Sequence, residues 1–194
     1  MRAKASLLLK LTLAPILAVF LLYLIEAPVA FYPLAFSLVV VGTNLKRLRL
    51  HLLPALGASL GLAYVAFLVG LYGWGFWSKV VRALGLPEDL RLAEGFHTDL
   101  AFCLSVFIIA PLLTLIPQKY LFKGTDTRLS GWITLATIVF LVFTGFLHQQ
   151  TDVDYYLKMM SLWLLLTLLG MQVIINQQAV AALFGHRAAA EEHP

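Results

Sequence analysis

Residues 52–72 read LLPALGASLGLAYVAFLVGLY, a stretch without one charged side chain. As a helix rising about 1.5 Å per residue, it is long enough to cross a hydrocarbon core of roughly 30 Å. The rest of the chain has the same character, since 61% of its 194 residues are hydrophobic and 12% are charged. A soluble domain carries about twice that share of charge. The sequence therefore predicts an integral membrane protein of the all-α class.

Other apolar runs lie on both sides of this stretch. They cover residues 6–25, 29–43, 99–116, 130–147 and 157–179. Polar links separate the runs, the longest at residues 73–98, and no repeat or linker splits the chain into domains. We therefore expect one transmembrane helical domain over residues 1–185, with six spans, and a polar C-terminal tail over residues 186–194.

Residues 76–94 regain charge in a helical pattern. Phe76 and Val80 share one face, while Lys79 lies off it. This pattern is typical of an interfacial amphipathic helix lying on the membrane. Pro87, followed by two acids, is expected to begin a second short helix there, since proline suits the first turn.

The basic residues are distributed unequally between the two sides of the expected bundle. Ten of the fourteen Lys and Arg fall at the two termini, at residues 44–51 and at residues 117–129. Because basic loops stay on the cytoplasmic side, both termini are predicted to be cytoplasmic. The net charge of +4 then reflects orientation and not nucleic-acid binding. The compact layout favours a bacterial inner membrane.

A candidate ligand-binding site lies on the opposite, outer face. Its residues are expected near the start of the fourth span and the end of the fifth: His97, Asp99, His148, Gln149, Asp152 and Asp154. If those spans pack antiparallel, His97 and His148 come to a similar depth, which suits a metal ion, a proton relay or a haem. The alternative is that polar residues gather at any span end because the interface is wet.

Two pairs of residues inside the expected spans indicate helix contacts. Gly57 and Gly61 form a G-x-x-x-G pair, which lets another backbone approach closely, either within the chain or from a partner subunit. Gln172 and Asn176 are the most polar pair within any run, and they are expected to form an interhelical hydrogen bond or a substrate site.

Motifs for familiar membrane catalysis are missing from the sequence. There is no G-x-S-x-G, no H-E-x-x-H and no phosphate-binding loop, and a single cysteine, Cys103, excludes an intrachain disulfide. No ionisable residue is expected at mid-depth, which disfavours an ion-driven transporter. The sequence specifies no cofactor.

The features between residues 95 and 156 are similar to those of a known family. GFHTDL at 95–100 opens a run that ends in LIP at 115–117, and DVDYY follows at 152–156. This order resembles the transmembrane anchor of the lipoteichoic acid synthase and sulfatase-like phosphotransferase family. Catalysis in that family belongs to a separate metal-dependent domain, so no catalytic residue is carried over. The resemblance implies a membrane domain that assists envelope-polymer or lipid synthesis in trans.

Two classes of function follow from these patterns. The favoured class is a non-catalytic membrane protein, either a subunit of a membrane complex or a small binding and transport component, with the bilayer and other subunits or a second copy as partners. The alternative is a membrane enzyme or redox subunit that uses His97 and His148 for a metal or haem.

Overall fold

The computed structural model of the chain describes residues 7–93, 96–147 and 154–191. These residues form a helical bundle with one short hairpin. In chain order the elements are α1 (Leu9–Leu24), α2 (Val29–Thr43), α3 (Leu52–Ala83), β1 (Asp89–Ala93), β2 (Phe96–Asp99), α4 (Leu100–Lys119), α5 (Arg128–Leu147) and α6 (Asp154–Glu191).

Four helical segments are long and apolar enough to cross a membrane: Leu52–Ala83, Leu100–Lys119, Arg128–Gly145 and Met159–Ala182. Helices α1 and α2 are apolar but shorter. The expectation of an all-α membrane protein is therefore confirmed at this level. The bounds of α2 agree with the predicted run at 29–43, because proline breaks the chain before it and Asn44 ends it.

Helix α6 is the centre of the bundle. It packs against α1, α2, α4 and α5, and 67% of its apolar stretch is buried. Helix α3 lies at the side, where it packs against α2 and α4 and is 28% buried. The core is accordingly built around residues of α6 such as Leu164, Leu168 and Met171, which are fully buried.

The connection after the third apolar run differs from the sequence prediction. Residues 76–83 do not form a separate interfacial helix but continue α3 to Ala83, because nothing in the stretch after Tyr72 breaks a helix until Gly85, which has a φ of +65°. The short helix expected at Pro87 is also wrong. Residues 89–93 form β1 instead, which pairs antiparallel with β2 and places Asp89 opposite Asp99.

Helix α4 contains a widened, π-helical segment at Cys103–Ile109. Pro111 lies one turn after the middle of this segment; it has no backbone N–H, and its ring would collide with the carbonyl of Phe107 in a regular helix. The wider turn avoids that collision and exposes carbonyls to other donors. Trp163 of α6 uses one of them, since its indole Nε1–H donates to the Val106 carbonyl at 2.9 Å.

Candidate functional site

The outer-face site predicted from the sequence is described only in part. His148, Gln149 and Asp152 lie outside the described residues. The backbone places His97 on β2, opposite Arg91, and Asp154 at the start of α6. Whether the two histidines share a site remains a prediction.

Asp99 is the one residue of that set whose side-chain contacts are described. Its Oδ1 accepts hydrogen bonds from the backbone N–H groups of Ala101 at 2.8 Å and Phe102 at 3.1 Å, so Asp99 caps α4. Its Oδ2 accepts a hydrogen bond from the indole of Trp74, at 2.6 Å. Asp99 therefore links the far part of α3 to the start of α4. An aspartate directly before an apolar helical run is the signal from which this cap could have been predicted.

Metal ligands do not cluster in the described part of the chain. No group of three or more His, Cys, Asp or Glu comes together there in a way that could hold a metal ion. The pair His97 and His148 is not covered by that observation, because the side chains of both lie outside it.

Gln172 and Asn176, the polar pair expected inside a span, join Asn44 and Thr43 in a buried cluster between α2 and α6, here called the amide cluster. The Asn44 Nδ2 donates to Gln172 Oε1 at 2.9 Å, and Gln172 Nε2 donates to Thr43 Oγ1 at 2.8 Å. Asn176 Nδ2 donates to Asn44 Oδ1 at 3.3 Å. Gln172 and Asn176 thus make interhelical hydrogen bonds, one of the two roles foreseen for them.

Helix α6 is kinked at the amide cluster. Asn176 has non-helical angles, with φ at −105° and ψ at 15°, and its side chain donates back to the Gln172 carbonyl at 2.9 Å. A kink of this kind frees backbone carbonyls that a straight helix would occupy. One of these carbonyls, that of Ile175, accepts a hydrogen bond from the Arg47 guanidinium.

The two basic loops meet beside this kink. Leu48 and Phe122 form an antiparallel bridge, flanked by hydrogen bonds from Arg49 N–H to the Leu121 carbonyl at 2.9 Å and from Lys123 N–H to the Arg47 carbonyl at 2.8 Å. The side chains of Leu48 and Phe122 are buried. Residues 44–51 and 117–129 thus form one surface, here called the basic end.

A second set of hydrogen bonds ties the basic end to α6. Gln177 Nε2 donates to the Gly124 carbonyl at 2.9 Å, and Thr127 Oγ1 donates to Gln177 Oε1 at 2.7 Å. Gln177 is 2% exposed, whereas its partners Gly124 and Thr127 are exposed residues, so these bonds are partly buried. This role of Gln177 was not predicted, although an amide directly after Asn176 in an apolar run is a signal for such a partner.

The opposite end, formed by the last turns of α3, by β1 and β2 and by the start of α4, is here called the hairpin end. Besides the contact between Trp74 and Asp99, it is held by an ion pair between Arg82 Nε and Glu88 Oε1 at 2.7 Å. Both side chains of the ion pair are more than half exposed.

Gly57 and Gly61, which were expected to pack against a helix of this chain or of a partner subunit, lie outside the close contact between α3 and α4. A side chain at Gly57 or Gly61 would meet nothing within 4 Å, so no backbone of the described chain approaches them closely. The contact uses Gly70 and Gly73, where an added Cβ would lie 3.1 Å from Ala110 Cβ and 2.8 Å from Ser105 Oγ. Packing against a partner subunit at Gly57 and Gly61 stays a prediction.

An apolar groove of about 290 Å³ lies between α1 and α2 at the turn that joins them. Leu22, Phe31 and Leu38 are among the residues that line it. It contains no charged side chain in its lining and offers only apolar contacts.

Comparison of the chain with protein-family models finds no match. Comparisons with curated proteins and with solved structures find none either.

Proposed function

We propose that this protein is a non-catalytic integral membrane component that works by packing against another membrane protein through the exposed face of α3. The observation that carries the proposal is the open G-x-x-x-G pair at Gly57 and Gly61. Both glycines are exposed, and nothing in the described chain lies within 4 Å of a Cβ placed there. Small residues at this spacing allow another helix to approach closely within a bilayer.

The polar residues inside the bundle support the same proposal. Gln172 and Asn176 are hydrogen-bonded to α2, and Ser105 Oγ donates to the Val69 and Gly70 carbonyls of α3 at 3.0 and 2.9 Å. These groups hold helices together, so they have little capacity left for a substrate. A packing role requires only the outer surface of the bundle.

The finer topology is part of the proposal. We propose six spans, with α1 and α2 crossing beside the longer helices, both termini on the side of the basic end, and a bacterial inner membrane as the location. The pairing of the two basic loops supports one shared side for them. A cysteine introduced at Lys123 should react with an impermeant thiol reagent only after the membrane is opened, and one at Lys79 before it.

The decisive test is purification at native expression level in a mild detergent, followed by mass spectrometry of the proteins that remain attached. The same is done with Gly57→Leu and Gly61→Leu, which fill the open face of α3, and with Gly131→Leu, which fills open space on α5 as a matched control. We expect the α3 variants to lose the attached protein, or a second copy of the chain, while Gly131→Leu retains it.

Because a Cβ at Gly57 or Gly61 meets no atom within 4 Å among the described residues, the variants should keep the thermal stability of the parent protein. Retention of the same partner by Gly57→Leu and Gly61→Leu would rule out this face. If the purified protein is alone and carries visible haem bands or stoichiometric metal that is lost in the double variant His97→Ala and His148→Ala, the enzyme or redox alternative replaces the proposal.

A further inference from the structure

We infer that the basic end is a binding site for the phosphate headgroup of an anionic membrane lipid. This inference goes beyond the proposed packing role, since it concerns a different surface and a different class of ligand. It does not depend on the presence of a protein partner.

The first step of the argument is the balance of charge on the two loops. Residues 44–51 and 117–129 contain three Lys, three Arg and one acid, Asp126. Asp126 lies 3.4 Å from Lys119 Nζ, and the Arg47 guanidinium is directed to the Ile175 carbonyl. Four exposed cations then remain: Lys46, Arg49, Lys123 and Arg128. No acid among the described residues pairs with them.

The second step is that the backbone forces some of these cations together. The bridge between Leu48 and Phe122 makes Arg49 and Lys123 diagonal neighbours across the two paired segments, roughly 7–8 Å apart at the backbone. Because side chains alternate along paired strands and Leu48 and Phe122 point into the core, Arg49 and Lys123 both project to the other side. Two like charges this close repel each other, which is unfavourable. An anion bound between the loops would remove that cost.

The third step concerns the geometry of Arg49. Its Nε–H donates to the Phe122 carbonyl at 2.9 Å, which ties the side chain to the second loop. The Arg49 side chain is exposed, and its two terminal nitrogens make no hydrogen bond within the described chain, so they remain as donors. A guanidinium held in this way suits the oxygens of a phosphate, which accept two parallel hydrogen bonds.

The fourth step selects the lipid as the source of the phosphate. The basic end is formed by the links directly after α2 and α4, two apolar helices, so it lies at the level where lipid headgroups surround a membrane protein. Clusters of four or more Lys and Arg beside a span are typical of binding to anionic lipids.

The test measures lipid binding to the purified full chain by native mass spectrometry in detergent. The two probes are phosphatidylglycerol and phosphatidylcholine with the same acyl chains. We expect wild-type protein to retain phosphatidylglycerol preferentially. Since each cation near an anionic lipid changes affinity roughly fivefold, the double variant Arg49→Gln and Lys123→Gln should bind phosphatidylglycerol roughly 30-fold more weakly, with phosphatidylcholine unchanged.

Two control variants separate charge at this site from other effects. Lys79→Gln removes an exposed cation at the hairpin end and should leave binding unchanged. The charge-conserving variant Lys123→Arg should retain the affinity, because it keeps both the charge and the Arg49 guanidinium. If Arg49→Gln does not fold, Lys46→Gln with Lys123→Gln takes its place, because the Lys46 side chain is exposed and makes no hydrogen bond or ion pair within the described part of the chain.

Three results would overturn the inference. The first is equal retention of the two lipids by wild-type protein. The second is a loss with Lys79→Gln as large as that with the double variant. The third is displacement of phosphatidylglycerol by millimolar inorganic phosphate, which would show that the loops bind free phosphate and not a lipid headgroup.

Discussion

At the basic end, buried side chains from two loops and two helices hydrogen-bond to one another, whereas the hairpin end is connected by exposed side chains. The bonds at the basic end join residues far apart in sequence, as in Asn44 with Gln172. Those at the hairpin end are more local, as in Arg82 with Glu88. The comparison teaches that the basic loops are structural parts of the bundle, not just connectors between spans.

The largest expected difference between the two ends concerns a phenylalanine at each. Phe122 at the basic end is fully buried, while Phe76 at the hairpin end is 62% exposed. Truncation of a buried phenylalanine costs about 3–5 kcal/mol, so Phe122→Ala should lower the free energy of unfolding by that amount. Phe76→Ala should change it by about 0.5 kcal/mol or less. Reversible unfolding in mixed micelles measures both, and equal effects would contradict the comparison.

Helix α5 offers a test in which one residue type changes its role between the two ends. A Cβ at Gly145, near the hairpin end, would lie 2.8 Å from Cζ of the buried Phe107, while one at Gly131, near the basic end, meets open space. Gly145→Ala should therefore destabilise the fold by about 1–3 kcal/mol. Gly131→Ala should be neutral or stabilise it by up to about 1 kcal/mol, because alanine is the better helix former.

The same unfolding measurement applies to this pair. A stable Gly145→Ala variant would mean that α4 and α5 can separate at the hairpin end without cost. In that case the hairpin end would be packed less tightly, relative to the basic end, than the structure indicates.

The amide cluster provides a smaller and more specific effect. In a double-mutant cycle, Asn44→Ala and Gln172→Ala should show a coupling energy of about 0.6–1.7 kcal/mol, the range of interhelical hydrogen bonds in membrane proteins. Ser59→Ala serves as the uncoupled partner, since Ser59 Oγ makes no hydrogen bond within the described chain. A coupling energy near zero for Asn44 and Gln172 would mean that α2 and α6 are held by packing alone.

The smallest effect is expected at the hairpin end. Arg82→Gln removes an exposed ion pair and should leave the free energy of unfolding almost unchanged, because solvent screens the pair. Trp74→Phe removes the donor to Asp99 but leaves the cap of α4 in place. Hydrogen exchange should increase locally at residues 89–93 in Trp74→Phe, while the rest of the chain stays unchanged; a global increase would show that this contact holds the whole bundle.

The helices could be predicted from the sequence because apolar length alone identifies them. The end of α3 could not be predicted, because hydropathy separates the apolar run that ends at Tyr72 from the charged stretch at 76–94. A helix can nevertheless continue into such a stretch as long as no residue breaks it, and α3 continues to Ala83. The pairing of Leu48 with Phe122 also has no signal in either loop, since it depends on how α2 and α4 pack.

The prediction for the glycine pair was limited in the same way, because it depends on how the helices pack. A G-x-x-x-G spacing identifies Gly57 and Gly61 but does not say which face of α3 points inward. The inward face is the longer row of small residues at Ala55, Ser59, Ala63 and Gly70. That row was present in the sequence at helical spacing, and it is the better guide because several small residues must align before two helices can approach along their length.

The unequal lengths of two neighbouring helices have a consequence for the surrounding membrane. Helix α2 is about 22 Å long and packs against α3, which is about 48 Å long, so the two cannot match one bilayer thickness. In the proposed six-span arrangement, the bilayer must thin beside α2, while the excess length of α3 must tilt or protrude. The bilayer around the protein should thus be thinner beside α2 than beside α3, and the protein should distribute toward thinner regions of a heterogeneous membrane.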